Sequence, residues 1–327
     1  MVLLTPALRA LKRAYPESNL TLLLRPLVAD LMETHPYVDT CIVDTKSQGR
    51  YRSLIGLIRQ IHRDAFDAAV VLHPTSFRNA LLPFLARVPI RVGTTVNGRG
   101  RLLTASCKDD TSVHEVHRYL RVLQLLDIDT GADALEFWHT DTDRRTIQVF
   151  LDVEDVSSTD RLIALNLGTT WRTKRWDIAN FTEVIQQIAH LAPDVRIVLT
   201  GSSKELALAE ALPTSLPIIN LIGKTSILQL GALLERCEVC LTCDSGPMHI
   251  AAAVGTPTVA LFGPTSPVRH KPHGTGHTII EKPVECRPCY KRTCYHKDAP
   301  HLCMTEISTA EVVQALEIKL HQQVHAA

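Results

Sequence analysis

The stretch from Glu238 to Pro267 limits the fold more than any other part of this chain. It reads as strand, tight turn, helix, tight turn, strand. The first strand is Glu238 to Cys243, and the turn is Asp244-Ser245-Gly246. Pro247 suits the first position of a helix, where its missing N–H costs nothing. The helix is short and Ala-rich, is stopped by Gly255, and has Pro257 just beyond. Val259 to Phe262 is a second buried strand, ended by Gly263-Pro264. A βα turn of this kind puts backbone N–H groups and the positive helix end at the carboxyl edge of a sheet, a seat for phosphate. Asp244 and His249 add polar chemistry there. Taken singly, each residue also suits an ordinary connection in a doubly wound sheet.

The same alternation runs through the chain. Before residue 107, strands are expected at Leu20 to Leu24, Cys41 to Val43, Ala68 to Leu72 and Ile90 to Gly93. They are separated by helices at Pro6 to Tyr15, Pro26 to Thr34, Tyr51 to Arg63 and Ser76 to Ala86. A further helix, running to Leu126, carries His114 and His117. With no carboxylate or Cys at ligand spacing, these histidines are expected at the surface or between domains. Later strands are expected at Leu162 to Leu167, Arg196 to Thr200 and Ile218 to Ile222, with helices at Ile178 to Leu191 and Ile227 to Cys237. The pattern predicts α/β architecture with mostly parallel sheets covered on both faces.

A length of 327 residues exceeds what one core usually fills, so two domains are expected. The polar run 153–160 is the predicted linker. It leaves a domain at 1–152, a second at 160–307 and a terminal helix in 308–327. Ser308 is the expected N-cap of that helix, with Glu311 at the capping-box position.

No apolar run reaches the ~18 residues of a membrane span. No secretory leader is visible, and nine cysteines without one predict a reducing cytoplasm. Residues 1–107 hold 14 Lys and Arg against 7 Asp and Glu, although the whole chain is at +1. A basic first domain predicts an anionic partner, either a phosphorylated glycolipid or a membrane surface. Nucleic acid ranks low, because aromatics for base stacking are few and no nucleic-acid module is recognisable. Arg78, Arg87, Arg91, Arg99 and Arg101 either face that partner or are solvated.

Asp244-Ser245-Gly246-Pro247-Met248-His249, then Gly255-Thr256-Pro257 and Leu261-Phe262-Gly263-Pro264-Thr265, resemble the signature of glycosyltransferase family 9. These are the bacterial heptosyltransferases of the lipopolysaccharide inner core. The resemblance is strong over residues 162–307 and weak before residue 107. It implies the GT-B architecture, two Rossmann-like domains facing a cleft, with the terminal helix packed back toward the first domain. Met1 to Lys12 is similar to the family segment just after its first strand and Gly-Asp turn, so the N-terminal domain is expected to be incomplete. The Asp of that turn is the family's general base. The resemblance therefore places no general base in this chain, and Met1 is expected to be an internal or truncated start.

Two small hydroxylated residues after Gly168, with Lys174 and Arg175 beyond, suit a diphosphate without forming a Walker loop. The resemblance assigns the donor's phosphates to Thr169, Thr170 and Lys174, while Trp176 is expected to pack. Glu205, just past a strand end, either accepts from ribose hydroxyls or sits in the first turn of a helix. The Gly223-Lys224-Thr225 turn lies where the family holds the nucleotide base, which brings Thr225 into the donor set. The resemblance completes that set with Asp244 on sugar hydroxyls, Ser245 and Gly246 on phosphate, and His249 supporting the loop or the phosphate, the alternative for His249 being a buried, hydrogen-bonded histidine one turn into the helix. Lys174 and Asp244 are the expected catalytic pair. Cys286, Cys289, Cys294 and Cys303 follow a C-x2-C-x4-C-x8-C spacing without the paired CxxC arrangement of a strong zinc motif, so they either hold zinc or an iron–sulfur centre or pack as small hydrophobes, with packing the first expectation.

The resemblance implies an inverting transfer of heptose, or a related sugar, from ADP-heptose to an anionic lipid-linked acceptor. No cofactor is implied. The chain is expected in the cytoplasm, peripheral to the inner membrane. A nucleotide-sugar-binding protein without transferase activity is the second expectation. An NAD-dependent oxidoreductase is disfavoured, since no strand is followed by G-x-G-x-x-G.

Overall fold

The computed structural model describes residues 1–32, 34–45, 50–73, 75–157, 159–296 and 298–324. Glu33 of the expected Pro26 to Thr34 helix and Ser158 of the expected linker lie outside the described residues. The chain divides into two units, Leu3–Ala134 and Leu135–Ala327.

Among the described residues, the first unit holds five strands: β1 (Thr21–Leu24), β2 (Thr40–Val43), β3 (Ala68–Val71), β4 (Ile90–Thr94) and β5 (Ala105–Cys107). Its α-helices are α1 (Thr5–Ala14), α2 (Arg50–Arg63), α3 (Phe77–Leu85) and α4 (Glu115–Leu123). The strands form two parallel sheets, β1-β2 and β3-β4-β5. Ile42, Leu57, Ile61 and Leu82 share one core. The segment after Pro26 forms two 3-10 turns, Pro26–Val28 and Asp30–Met32, in place of the expected helix. So short a piece does not repay the cost of nucleating an α-helix.

Arg78, Arg91 and Arg99 differ from both readings, being bonded within the unit instead. Arg99 is fully buried. Its Nε donates to the Thr94 carbonyl (2.8 Å) and its Nη1 to the carbonyls of His73 (2.6 Å) and Ser76 (3.2 Å). Arg91 Nε donates to the Leu102 carbonyl (2.8 Å), and Arg78 pairs with Asp44. These guanidinium groups satisfy strand-end carbonyls and a carboxylate, as buried polar groups require. Arg87 and Arg101 are exposed. His114 is buried and caps α4, its Nδ1 accepting from the Val116 N–H, while His117 is exposed.

The second unit contains β6 (Arg161–Asn166), β7 (Val195–Thr200), β8 (Ile218–Asn220), β9 (Val239–Cys243), β10 (Thr258–Phe262) and β11 (Thr278–Glu281). They form one parallel sheet in the order β11-β10-β9-β6-β7-β8. Its helices are α5 (Asp141–Val153), α6 (Ile178–Leu191), α7 (Leu206–Glu210), α8 (Ile227–Glu235), α9 (Gly246–Ala253), α10 (Pro267–His270), α11 (Leu302–Thr305) and α12 (Thr309–Val324). Every residue of β9 and β10 is buried, as in strands covered on both faces.

The division after Ala134 corrects the expected boundary near 153–160. A capping box between Thr140 and Asp143 starts α5, which buries Ile147 and Leu151 with Leu162, Val198 and Leu233. The Phe137 ring lies so close to Gly231 that a Cβ there would stand 2.1 Å from it. The polar run is a turn between α5 and β6 within one core. The terminal helix belongs to that unit too, its Val312, Val313 and Leu316 joining Phe181 and Val184.

Two predictions follow from this packing. Leu151 is buried, so Leu151→Ala should destabilise the chain by about 2–5 kcal/mol in a denaturant titration. A linker position would show almost no change. The second concerns Glu311, which accepts from Lys282 and from the Ser308 hydroxyl (2.7 Å) and N–H (3.0 Å). These bonds hold its carboxyl down to about 2 from an ordinary 4.5. A depressed folded value means the contribution is full above 4.5 and is lost as pH falls toward 2. The denaturation midpoint should therefore fall less steeply across that window in Glu311→Gln than in the parent chain.

Candidate functional site

The strand order reverses between β6 and β9. From β6 the chain moves outward to β7 and β8, and from β9 it moves the other way to β10 and β11. Loops leaving adjacent strands in opposite directions open a crevice at the carboxyl edge. Asn166, the last residue of β6, stitches this edge together. Its Nδ2 donates to the Thr200 carbonyl at 3.2 Å, and its Oδ1 accepts from Ser245 (3.3 Å) and Thr242 (3.4 Å). The Ser245 hydroxyl is thereby turned inward, and α9 begins without a side-chain cap. Its first N–H groups and the positive end of its dipole remain available to an anion.

Three loops meet beside that helix end. Lys174 Nζ lies 2.6 Å from Asp244 Oδ2, and Thr265 Oγ1 donates to the same oxygen at 2.6 Å. The Lys174 and Asp244 side chains are 15% and 7% exposed, so the pair is largely withdrawn from solvent. Lys174 Nζ also sits 4.6 Å from the centre of the Trp171 ring, over which Arg292 Cζ lies at 5.1 Å. A cation fixed by a carboxylate and a ring is a preorganised partner for developing negative charge.

The other expected residues lie on the same edge in different roles. Thr169 is buried, and its hydroxyl donates to the Trp171 carbonyl at 2.6 Å, so it braces its own loop. Thr170 is exposed. Glu205 Oε2 accepts from the Ser202 hydroxyl (2.8 Å) and N–H (2.5 Å), which is the helix-start alternative. Its Oε1 is pressed against Gly168, 2.3 Å from where a Cβ would stand. Thr225 follows the outer strand β8, where Gly223 takes a left-handed φ of 73°. Gly246 and His249 occupy the first turn of α9. Trp176 packs, its indole N–H donating to the Ile307 carbonyl at 3.1 Å.

Asn166, Trp171 and Arg292 belong to the site without being singled out by the sequence, and Thr265 stands in the family signature without an assigned role. The one local signal was a polar residue closing the otherwise apolar strand Leu162 to Leu165. Of the cysteines, Cys240 and Cys243 are strand residues whose thiols burial pushes up to about 12, so they only pack. Cys286, Cys289, Cys294 and Cys303 line a single cavity.

The tight contact at Gly168 gives a test. Gly168→Ala places a methyl group within 2.4 Å of the Glu205 carboxyl carbon, displacing that side chain and breaking the Ser202 capping box. The expected cost is about 1–3 kcal/mol by denaturation. The double variant with Glu205→Ala should lose less than the sum of the single variants, because the clash has gone.

A profile for glycosyltransferase family 9 (heptosyltransferase) matches residues 54–299, well over half of the chain. The chain is similar to lipooligosaccharide heptosyltransferase 2 of Haemophilus ducreyi, with 29% identity over 337 residues covering 97% of this chain and 94% of that protein. It is similar at 27% identity over 299 residues to the Haemophilus influenzae protein of the same name, covering 83% and 82% of the two chains. Among solved structures, a family 9 glycosyl transferase from Veillonella parvula matches with a TM-score of 0.84 at 27% identity, covering 98% of this chain and 94% of that one. ADP-heptose lipopolysaccharide heptosyltransferase II of Escherichia coli matches in fold with a TM-score of 0.77 at 24% identity, covering 99% and 96%.

Proposed function

This chain belongs to glycosyltransferase family 9, and we propose from that membership that it transfers a heptose from ADP-heptose to the lipopolysaccharide inner core with inversion. The observation that carries the reading is the Lys174–Asp244–Thr265 contact beside the uncapped start of α9.

Departure of the sugar leaves growing negative charge on the nucleotide diphosphate. The Ser245 and Gly246 N–H groups and the Lys174 ammonium receive that charge, and the exposed Thr170 hydroxyl donates alongside them. Lys174 and the helix end supply the counter-charge, so the donor needs no cofactor. Thr169 keeps the Lys174 loop in shape. A bare carboxylate beside a diphosphate would repel it. Asp244 is tolerated because its Oδ2 is neutralised by Lys174 and bonded by Thr265. Its Oδ1 is then the acceptor for a sugar hydroxyl. Thr225, after β8, falls to the nucleotide base, Glu205 holds the loop after β7 through its Ser202 cap, and His249 supports the first turn of α9.

The acceptor is an anionic, lipid-linked core oligosaccharide. The excess of basic residues before residue 107 suits it, as it suits peripheral contact with the cytoplasmic face of the inner membrane. Among the described residues, no helix is long and apolar enough to cross a membrane.

Lys174→Ala removes one charge-assisted contact of about 1.5–3 kcal/mol, so ADP affinity and transfer should fall about ten- to hundredfold. Calorimetry with ADP and a transfer assay with a core acceptor measure both. Asp244→Ala should separate them: transfer is lost, while ADP binds as before or more tightly, because Lys174 is released and a like charge is removed. Unchanged ADP affinity and turnover in folded Lys174→Ala would remove this residue from the donor site.

A further inference from the structure

Cys286, Cys289, Cys294 and Cys303 take no part in the donor chemistry, yet they converge on one cavity of about 290 Å³ in the second unit. Cysteines that merely pack are buried small hydrophobes, like Cys240 and Cys243. Here only Cys303 is buried. The other three are half-buried free thiols on the stretch between β11 and α11, whose described residues form neither helix nor strand. Irregular stretches of that length are uncommon unless they serve a function. This one does hold a defined shape. The Lys291 carbonyl accepts from Thr173 at 2.8 Å, and the Tyr290 N–H donates to the Pro264 carbonyl at 2.9 Å. The Cys294 sulfur accepts from the His301 N–H at 3.4 Å, the kind of outer bond that steadies a thiolate ligand.

We propose that Cys286, Cys289, Cys294 and Cys303 ligate a thiophilic metal centre, zinc or iron, that staples the segment 286–303 to the sheet. Thiolates select these metals over harder cations, and four of them close a structural site without an open position. Among the described residues, no three of the sulfurs lie within 4.8 Å of one another. Thiolates on a single tetrahedral zinc stand about 3.8 Å apart. A single zinc ion therefore requires the sulfurs to close in when it binds. An iron–sulfur cluster, with its thiolates on separate irons, takes a wider spacing.

The test uses the full chain, purified anaerobically, with elemental analysis and an assay for acid-labile sulfide. Near-stoichiometric zinc without sulfide would assign a single zinc ion. Iron would assign the iron centre, and accompanying sulfide would make it a cluster. The double variant Cys286→Ser/Cys289→Ser should bind the metal at least about tenfold more weakly. Lys291 and Arg292 are exposed, so chelation should loosen the backbone enough for trypsin to cleave after them, and added metal should protect them again. Should the variant fail to fold, cobalt added to the chelated parent chain should develop sulfur-to-cobalt charge-transfer absorption. Parent protein that is folded, metal-free and silent toward both zinc and cobalt would overturn the proposal. None of these readouts depends on sugar transfer, so their failure leaves the donor site untouched.

Discussion

The parallel pairing of β6 with β9 is the constraint on which the second unit depends. Both strands are covered on both faces, so neither has room for polar groups along its length. Their chemistry is confined to the carboxyl ends, where the chain turns off in opposite directions. Asn166 makes that edge rigid by bonding groups from β7 and β9 at once. Its amide is buried and satisfied on both its oxygen and its nitrogen. Losing it would leave polar partners stranded, which costs more than the bonds themselves contribute.

Lys174 and Asp244 should not be read as a stability device. Largely desolvated ion pairs repay little of what dehydration costs, and surface pairs repay less. What this pair supplies is position. The ammonium is held by a carboxylate, a hydroxyl locks that carboxylate, and an indole lies beneath the cation. The groups belong to loops after β6, β9 and β10, so the geometry is set by the sheet and not by any one loop. A cation already stripped of most of its water needs little reorganisation when negative charge develops nearby.

The regular elements around this site were legible because their signals are local. Asp244-Ser245-Gly246-Pro247 and Gly255-Thr256-Pro257 punctuate a short apolar pattern, and α9 with its flanking strands lies where that punctuation puts it. Ser308 and Glu311 likewise make the reciprocal cap that their spacing predicts. Contacts between distant loops were not legible. Lys174 and Asp244 are 70 residues apart, and Thr265 stood in the quoted signature without a role. Burial of a charge was also hidden. Arg99 looks like any basic surface residue until His73, Ser76 and Thr94 close around it. The domain boundary was misplaced for a related reason. A polar run marks a turn, and only packing tells whether a turn joins two units or two elements of one core.

The indole of Trp171 links the donor site to the cysteine-rich segment. Lys174 and Arg292 both lie over its ring, and of the two only Lys174 has a carboxylate partner among the described residues. Two cations on one ring repel each other, and Asp244 offsets only one of them. The remaining positive charge is borne by an exposed guanidinium on the ring that also carries Lys174, and such a charge concentrates anions before any contact forms. Next to Arg292, Lys291 and Tyr290 are bonded to the loops after β6 and β10, at Thr173 and Pro264. The order of a stretch whose described residues form no strand is thus part of the electrostatics of the site. Loosening that stretch would weaken the attraction for a diphosphate without touching any residue of the Asp244 turn.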